Sequence, residues 1–246
     1  MGELLIKDKD IVVPGEVLAT GMDYLPAICA FREEDKIVAS QIGIITIEGR
    51  LIKVIPLKGK YTPKRNDMVI GIILDMNFNN WFVDIGCAAN AVLSVREATE
   101  FVERGADLSQ VYSFGDLIVA KVSNITRSSI DLSMRGPGLR KLGPGRLMKV
   151  DATKVPRIIG KQGSMITMIK EKTGCMIIAG QNGLVWIQGE PKNELITAEV
   201  LQMISRDAHK EGLTDKVAKV LEEKIPQVAG NVPKGRNEMM DYERQE

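Results

Sequence analysis

The sequence is short of the groups on which most enzymes depend. Its 246 residues include one histidine, three cysteines and only 4% aromatic side chains. The histidine, His209, follows an apolar helical stretch and has no second histidine or cysteine cluster with which to share a metal. Cys29, Cys87 and Cys175 lie far apart, at no metal-ligand spacing. An odd, sparse set of thiols builds no disulfide framework, which fits a reducing cytoplasm and small buried hydrophobes. Carboxylates form no dense cluster; the run Glu33-Glu34-Asp35 reads as a solvated loop rather than a magnesium site, and Ser94, Ser123 and Ser133 have no paired base. The expectation is a chain with no catalytic machinery, no metal and no cofactor. Excess charge of one sign is also lacking. A formal net charge of +1 excludes a polycationic coat that binds nucleic acid indiscriminately, while leaving room for local basic patches. No apolar run approaches the ~20 residues that span a bilayer. Residues Met1 to Lys7 lack the apolar core of a signal peptide, so no membrane association is expected.

What is present suffices for packed cores. Hydrophobic residues make up 44% and charged residues 26%, and the length suggests two or three domains. Residues 1–64 read as all-β. Ile42 to Ile47 and Leu51 to Ile55 are β-branched runs around a tight Glu48-Gly49-Arg50 turn, and Val12 to Leu18 reads as a strand with a Pro-Gly turn inside it. Residues 65–137 read as a five-stranded OB barrel with strands at Met68 to Met76, Trp81 to Ile85, Ala91 to Ser94, Leu117 to Val122 and Ser129 to Ser133. Gly136-Pro137-Gly138 and Gly143-Pro144-Gly145 mark the clearest domain boundary. Residues 146–226 change period: a strand, a helix–loop–helix over Val155 to Thr173, and strands at Cys175 to Ala179 and Leu184 to Ile187 about an Asn182-Gly183 hairpin. A helix from Pro191 and a short one from Thr214 to Lys224 follow. Residues 227–246 read as a mobile tail. The predicted fold class is multidomain α+β: an all-β N-terminal domain, an OB barrel and a type I KH domain, whose order is β-α-α-β-β-α.

The KH reading rests on Arg157-Ile158-Ile159-Gly160-Lys161-Gln162-Gly163-Ser164. Glycines allow a backbone close enough for amide N–H groups at the following helix start to meet phosphate oxygens. Lys161 and Arg157 add positive charge, and Val155, Ile158, Ile159 and Ile166 supply an apolar floor for bases. A bare G-x-x-G is frequent by chance, but this one lies within Val155-Pro156-Arg157-Ile158-Ile159-Gly-x-x-Gly and precedes Thr173-Gly174 and a β-hairpin.

The middle segment resembles the S-one type of RNA-binding OB domain through Asp67 to Gly71, Trp81 to Asp84, Gly115 to Val122 and Asp131 to Arg135. That resemblance places Phe82 at an aromatic position and Lys121 and Arg127 at basic ones. Asn79 and Val92 depart from the pattern, standing where the family often has an aromatic ring and a histidine. Phe78 or Trp81 is placed to compensate, and Trp81 fits the barrel core equally well.

The order β domain, OB domain, single KH domain resembles the RNA-binding cap subunit of the archaeal exosome, of the ribosomal-RNA-processing type, over nearly the whole chain. Val12-Val13-Pro14-Gly15-Glu16 is similar to that family's N-terminal signature, and Gly180-Gln181-Asn182-Gly183 to its G-x-N-G turn. The resemblance implies a cytoplasmic, non-catalytic subunit that binds single-stranded RNA. Three copies would sit on a hexameric ring of phosphorolytic-nuclease-like subunits, with the N-terminal domain docked to the ring. Three modest sites on one strand would reconcile RNA binding with a net charge near zero. An assembly scaffold, whose OB and KH folds serve protein contacts, is the alternative that the departures at Asn79 and Val92 favour.

Overall fold

The computed structural model describes residues 2–57, 59–99, 107–126, 129–208 and 212–224. Arg127, His209 and the tail 227–246 lie outside the described residues.

The N-terminal segment forms two small sheets around one core. Its strands are β1 (Glu3–Leu4), β2 (Ile11–Val12), β3 (Val17–Thr20), β4 (Leu25–Pro26), β5 (Ala30–Glu33), β6 (Lys36–Ala39), β7 (Gly43–Glu48) and β8 (Leu51–Pro56). One sheet runs β1-β3-β6-β5 and the other β2-β7-β8-β4. Alternation along β7 and β8 sends Ile45, Ile52 and Val54 inward, where they meet Leu18, Ile37 and Val12. The expected β7–β8 hairpin forms with Glu48 opposite Leu51 and Gly49 at φ +63°. The expectation of a single strand from Val12 to Leu18 is corrected. Pro14 has no N–H for a ladder, Gly15 takes φ +87°, and the chain turns there from one sheet into the other.

The middle segment closes into a barrel of β9 (Met68–Met76), β10 (Asn80–Asp84), β11 (Ala91–Ser94), β12 (Leu117–Ile125) and β13 (Ile130–Ser133), with β13 pairing both β11 and β12. Gly71 is required by close approach, since a Cβ there would lie 2.3 Å from Val83 Cγ1. The stretch between the two glycine–proline clusters that mark the domain boundary adds a strand to the barrel. There β14 (Arg140–Lys141) pairs with β12, and Leu139 and Leu142 are buried in the barrel core.

In the last segment β15 (Arg146–Lys149), β16 (Met176–Ala179) and β17 (Leu184–Gln188) form an antiparallel sheet in the order β15-β17-β16. Helices α1 (Val155–Ile159), α2 (Ser164–Thr173) and α3 (Pro191–Arg206) pack through a core that includes Ile169, Ile177, Val200 and Ile204, and α4 (Leu213–Lys224) adds Val217 and Leu221. Strand β17 is buried on both faces: Val185 and Ile187 enter the KH core, and Trp186 between them packs on the barrel core. No helix among the described residues is long and apolar enough to cross a membrane.

Candidate nucleic-acid interface

Helix α1 is a single turn that stops because Gly160 adopts φ +78°, ψ 173°, a conformation open essentially to glycine alone. Lys161 to Gly163 form a 3-10 turn in which Gln162 is left-handed (φ +54°) and Gly163 N donates to Gly160 O at 3.2 Å. Gly163, at φ +81°, is the N-cap of α2 and supplies no side chain to its first amides. The start of α2 therefore carries N–H groups without a capping side chain, plus the positive end of the helix dipole. Lys161, Gln162 and Ser164 are exposed around it, and Arg157 is exposed on α1. This arrangement suits a phosphate oxygen.

The expected apolar floor is narrower. Val155 and Ile158 are fully buried, one helical turn apart on the face that packs into the KH core, so Ile158 offers nothing to a base. Ile159 and Ile166 are half-buried and remain available.

The Gly180–Gly183 turn does more than close a hairpin. Asn182 is 5% exposed and its amide enters the seam between barrel strands. Asn182 Nδ2 donates to Ile70 O (2.7 Å) and Ile85 O (3.0 Å), Ile70 N donates to Asn182 Oδ1 (3.2 Å), and Gln181 N donates to Met68 O (2.8 Å). Gly183 must be glycine, because at φ +85° a Cβ would lie 2.4 Å from Val150 O. The sequence marks this turn but carries no sign of its partners, which lie up to 112 residues away.

The barrel does not gather its expected RNA residues into one place. Phe82 is half-buried on the outer wall, between Asp75 and Val92. Phe78 is 97% exposed at the tip of the β9–β10 turn. Asn77 Oδ1 holds that tip by accepting from Asn79 N (3.0 Å) and Asn80 N (2.8 Å). Lys121 is exposed opposite Met68 at the far end of β9, roughly 25 Å from the Phe78 tip at the rise of an extended strand. Trp81 is corrected outright: it is 0% exposed and packs edge-to-face on Tyr112 with ring centroids 5.0 Å apart, so it presents no face to a base. Phe82→Ala is expected to cost ~1–3 kcal/mol of RNA binding if the ring stacks on a base, with the thermal midpoint nearly unchanged. Trp81→Ala is expected to cost about 3–5 kcal/mol of stability. Fluorescence anisotropy with labelled RNA and thermal denaturation separate the two outcomes.

Two half-buried groups of the barrel are pushed toward their neutral forms. Burial, reinforced by Asp84, pushes the Cys87 thiol up and away from thiolate. Burial and the hydrogen bond to Asp67 push the Tyr61 phenol well above its ordinary range. Among the described residues no three metal-ligating side chains converge.

Residues 146–204 match the family model of the KH domain, and residues 9–58 match that of the exosome RNA binding protein RRP4 N-terminal domain. The chain is 44% identical to the exosome complex component Rrp4 of Methanothermus fervidus, over 87% of this chain and 96% of that protein. It is 40% identical to the component of the same name from Methanobrevibacter smithii, over 99% and 80%. Pyrococcus furiosus has another at 38%, over 93% and 88%. Among solved structures, a putative exosome complex RNA-binding protein superposes with a TM-score of 0.60 at 32% identity, over 68% of this chain and 97% of that one.

Proposed function

The chain belongs to the family of the archaeal exosome complex component Rrp4, and from that membership we propose that it is a non-catalytic RNA-binding cap subunit. It captures single-stranded RNA and passes 3′ ends to a phosphorolytic nuclease ring for 3′-to-5′ degradation. The observation that carries this reading is the exposed Gly160–Gly163 loop, with its glycine-only backbone and a helix start that has no capping side chain. In this reading three copies crown a hexameric ring in the cytoplasm.

The N-terminal segment supports the docking half of the proposal. Ile11, Ile44 and Ile55 stand opposite one another across β2, β7 and β8, and Leu25 is opposite Leu51 across β4 and β8. Ile11 is 65% exposed and Ile55 54%. Side chains on that face contribute little to the fold, and an apolar row of this kind suits a protein partner.

Ring subunits with and without this chain, mixed with labelled single-stranded RNA, test the proposal. Addition of the chain should raise RNA capture. Ile11→Glu with Ile55→Glu should weaken association with the ring about tenfold or more, since anchor side chains at interfaces contribute ~2 kcal/mol or more, and should leave the thermal midpoint in place. No gain in RNA capture by an associated cap would favour the scaffold reading, to which the burial of Trp81 lends weight.

A further inference from the structure

Four cations gather where the barrel meets the KH hairpin, apart from the Gly160–Gly163 loop. Lys64 and Arg65 lead into β9, Lys121 lies on β12, and Arg135 follows β13; all four are exposed. The local backbone sets them side by side. Arg65 Nε donates to Ser123 O (2.9 Å), and Asn66 N donates to Val122 O (2.8 Å). Lys121 faces Ser133 on one side and Met68 on the other, and Arg135 N donates to Ser133 Oγ (3.2 Å). Met68 O accepts from Gln181 N, so the tip of the KH hairpin borders the group.

None of the four makes an ion pair among the described residues. The nearby carboxylates are held by neutral donors and not by the four side-chain cations: Asp67 accepts from Tyr61 Oη (2.7 Å) and Lys64 N (3.0 Å), and Asp131 from Ser129 Oγ (3.1 Å) and Asn124 Nδ2 (3.4 Å). Four cations against these two carboxylates leave the group net positive in a chain of net charge +1. With Nε held by Ser123 O, the Arg65 guanidinium plane is oriented and its two Nη groups remain for a bidentate acceptor.

We propose that Arg65, Lys121 and Arg135, with Lys64 beside them, form a second phosphate site that holds the backbone of the captured RNA. The proposal rests on the RNA-capture reading and extends it from the KH loop to the barrel–KH junction. Its exposed members are the four cations and Met68, while the neighbouring Tyr61 packs against the barrel core. That composition suits a sugar–phosphate backbone better than a protein interface, whose core is enriched in aromatic residues, and it predicts a grip indifferent to base sequence.

The test uses the full chain and a fluorescein-labelled single-stranded oligouridylate, with affinity measured across a salt series. Changing Arg65, Lys121 and Arg135 together to alanine should flatten the log K against log salt slope by about 2 units, at ~0.7 per phosphate contact on a single strand. Binding at low salt should weaken roughly tenfold. Arg65→Lys in place of Arg65→Ala should restore the slope and only part of the affinity, because the charge returns without the fork. A triple variant with the wild-type slope overturns the proposal. So does one that loses the nuclease ring and keeps its RNA slope, which would make the patch a protein contact. Failure of the wild-type chain to bind RNA overturns the capture reading itself. A Gly163→Asp chain that binds weakly beside an unaffected triple variant removes the patch alone.

Discussion

Gly163→Asp is expected to cut RNA affinity by ten- to a hundredfold and leave the fold standing, whereas Gly160→Asp is expected to damage the fold. The two glycines look equivalent in the motif and differ in their surroundings. At Gly163, φ is +81° and ψ 5°, a left-handed conformation that aspartate adopts more readily than most residues, and a Cβ would meet only Thr167 Oγ1, at 4.0 Å. The new carboxylate would lie beside the first amides of α2, where it competes with a phosphate for the same N–H groups and repels it. Favourable interaction with the helix dipole offsets part of the backbone cost. Hydrogen bonds to a charged group contribute ~1.5–3 kcal/mol each, which sets the expected loss. At Gly160 the conformation is glycine's alone, and a Cβ would lie 2.7 Å from both the backbone N and the Cβ of Met165. Changing both glycines, the natural choice from the motif, would therefore confound binding with folding. Anisotropy with single-stranded RNA and a thermal melt of the single variant decide the matter: a folded Gly163→Asp chain with wild-type affinity removes the loop from the mechanism.

Features governed by local chemistry were legible in the sequence. The Gly160–Gly163 turn is one, because its backbone permits little else. The β7–β8 hairpin and the five barrel strands are others, because β-branched runs and turn residues mark them. Trp81 could have been placed by the same logic. Neighbours in a strand point to opposite faces, so once Phe82 is assigned to the outer wall, Trp81 must join Val83 and Ile85 inside. Ile158 likewise shares a face with Val155, three residues earlier and buried. In the segment 138–145 the Gly and Pro residues signal a boundary and hide the strand within it. Leu139 and Leu142 are the residues that matter there, and their partner is the outer edge of β12. Neither the barrel seam nor the cation group was legible at all. Lys64 and Arg65 precede Lys121 by more than fifty positions, and only barrel closure brings them beside it.

The barrel seam gives the second large effect: Asn182→Ala is expected to lower the thermal midpoint by about 10 °C. Strand β10 pairs with β9 as far as Asp84 opposite Ile72 and then leaves it. Beyond that point Ile70 has an N–H and a C=O with no strand to meet them, and the Asn182 amide serves both, with a further bond to Ile85 O. Alanine would leave three buried backbone groups without partners. Each costs ~1–3 kcal/mol, and a total of about 3–4 kcal/mol corresponds to roughly 10 °C for a chain of this size. Asn182→Asp is the sharper variant. It keeps the shape and can still accept from Ile70 N, but it turns an anion toward the oxygens of Ile70 and Ile85. Burial beside those oxygens raises the pKa of the new carboxyl above its unfolded value. Its destabilisation should therefore be greatest at neutral pH and shrink as pH falls through that raised pKa, where the protonated group can donate to one of the carbonyls. Alanine has no proton to gain, so its deficit should not follow the same pH dependence. Thermal melts of both variants across pH test the hydrogen-bonding role directly. An alanine chain within about 2 °C of wild type, against the ~2–4 °C expected per kcal/mol, would show that packing around Trp186 holds the KH sheet to the barrel without the asparagine.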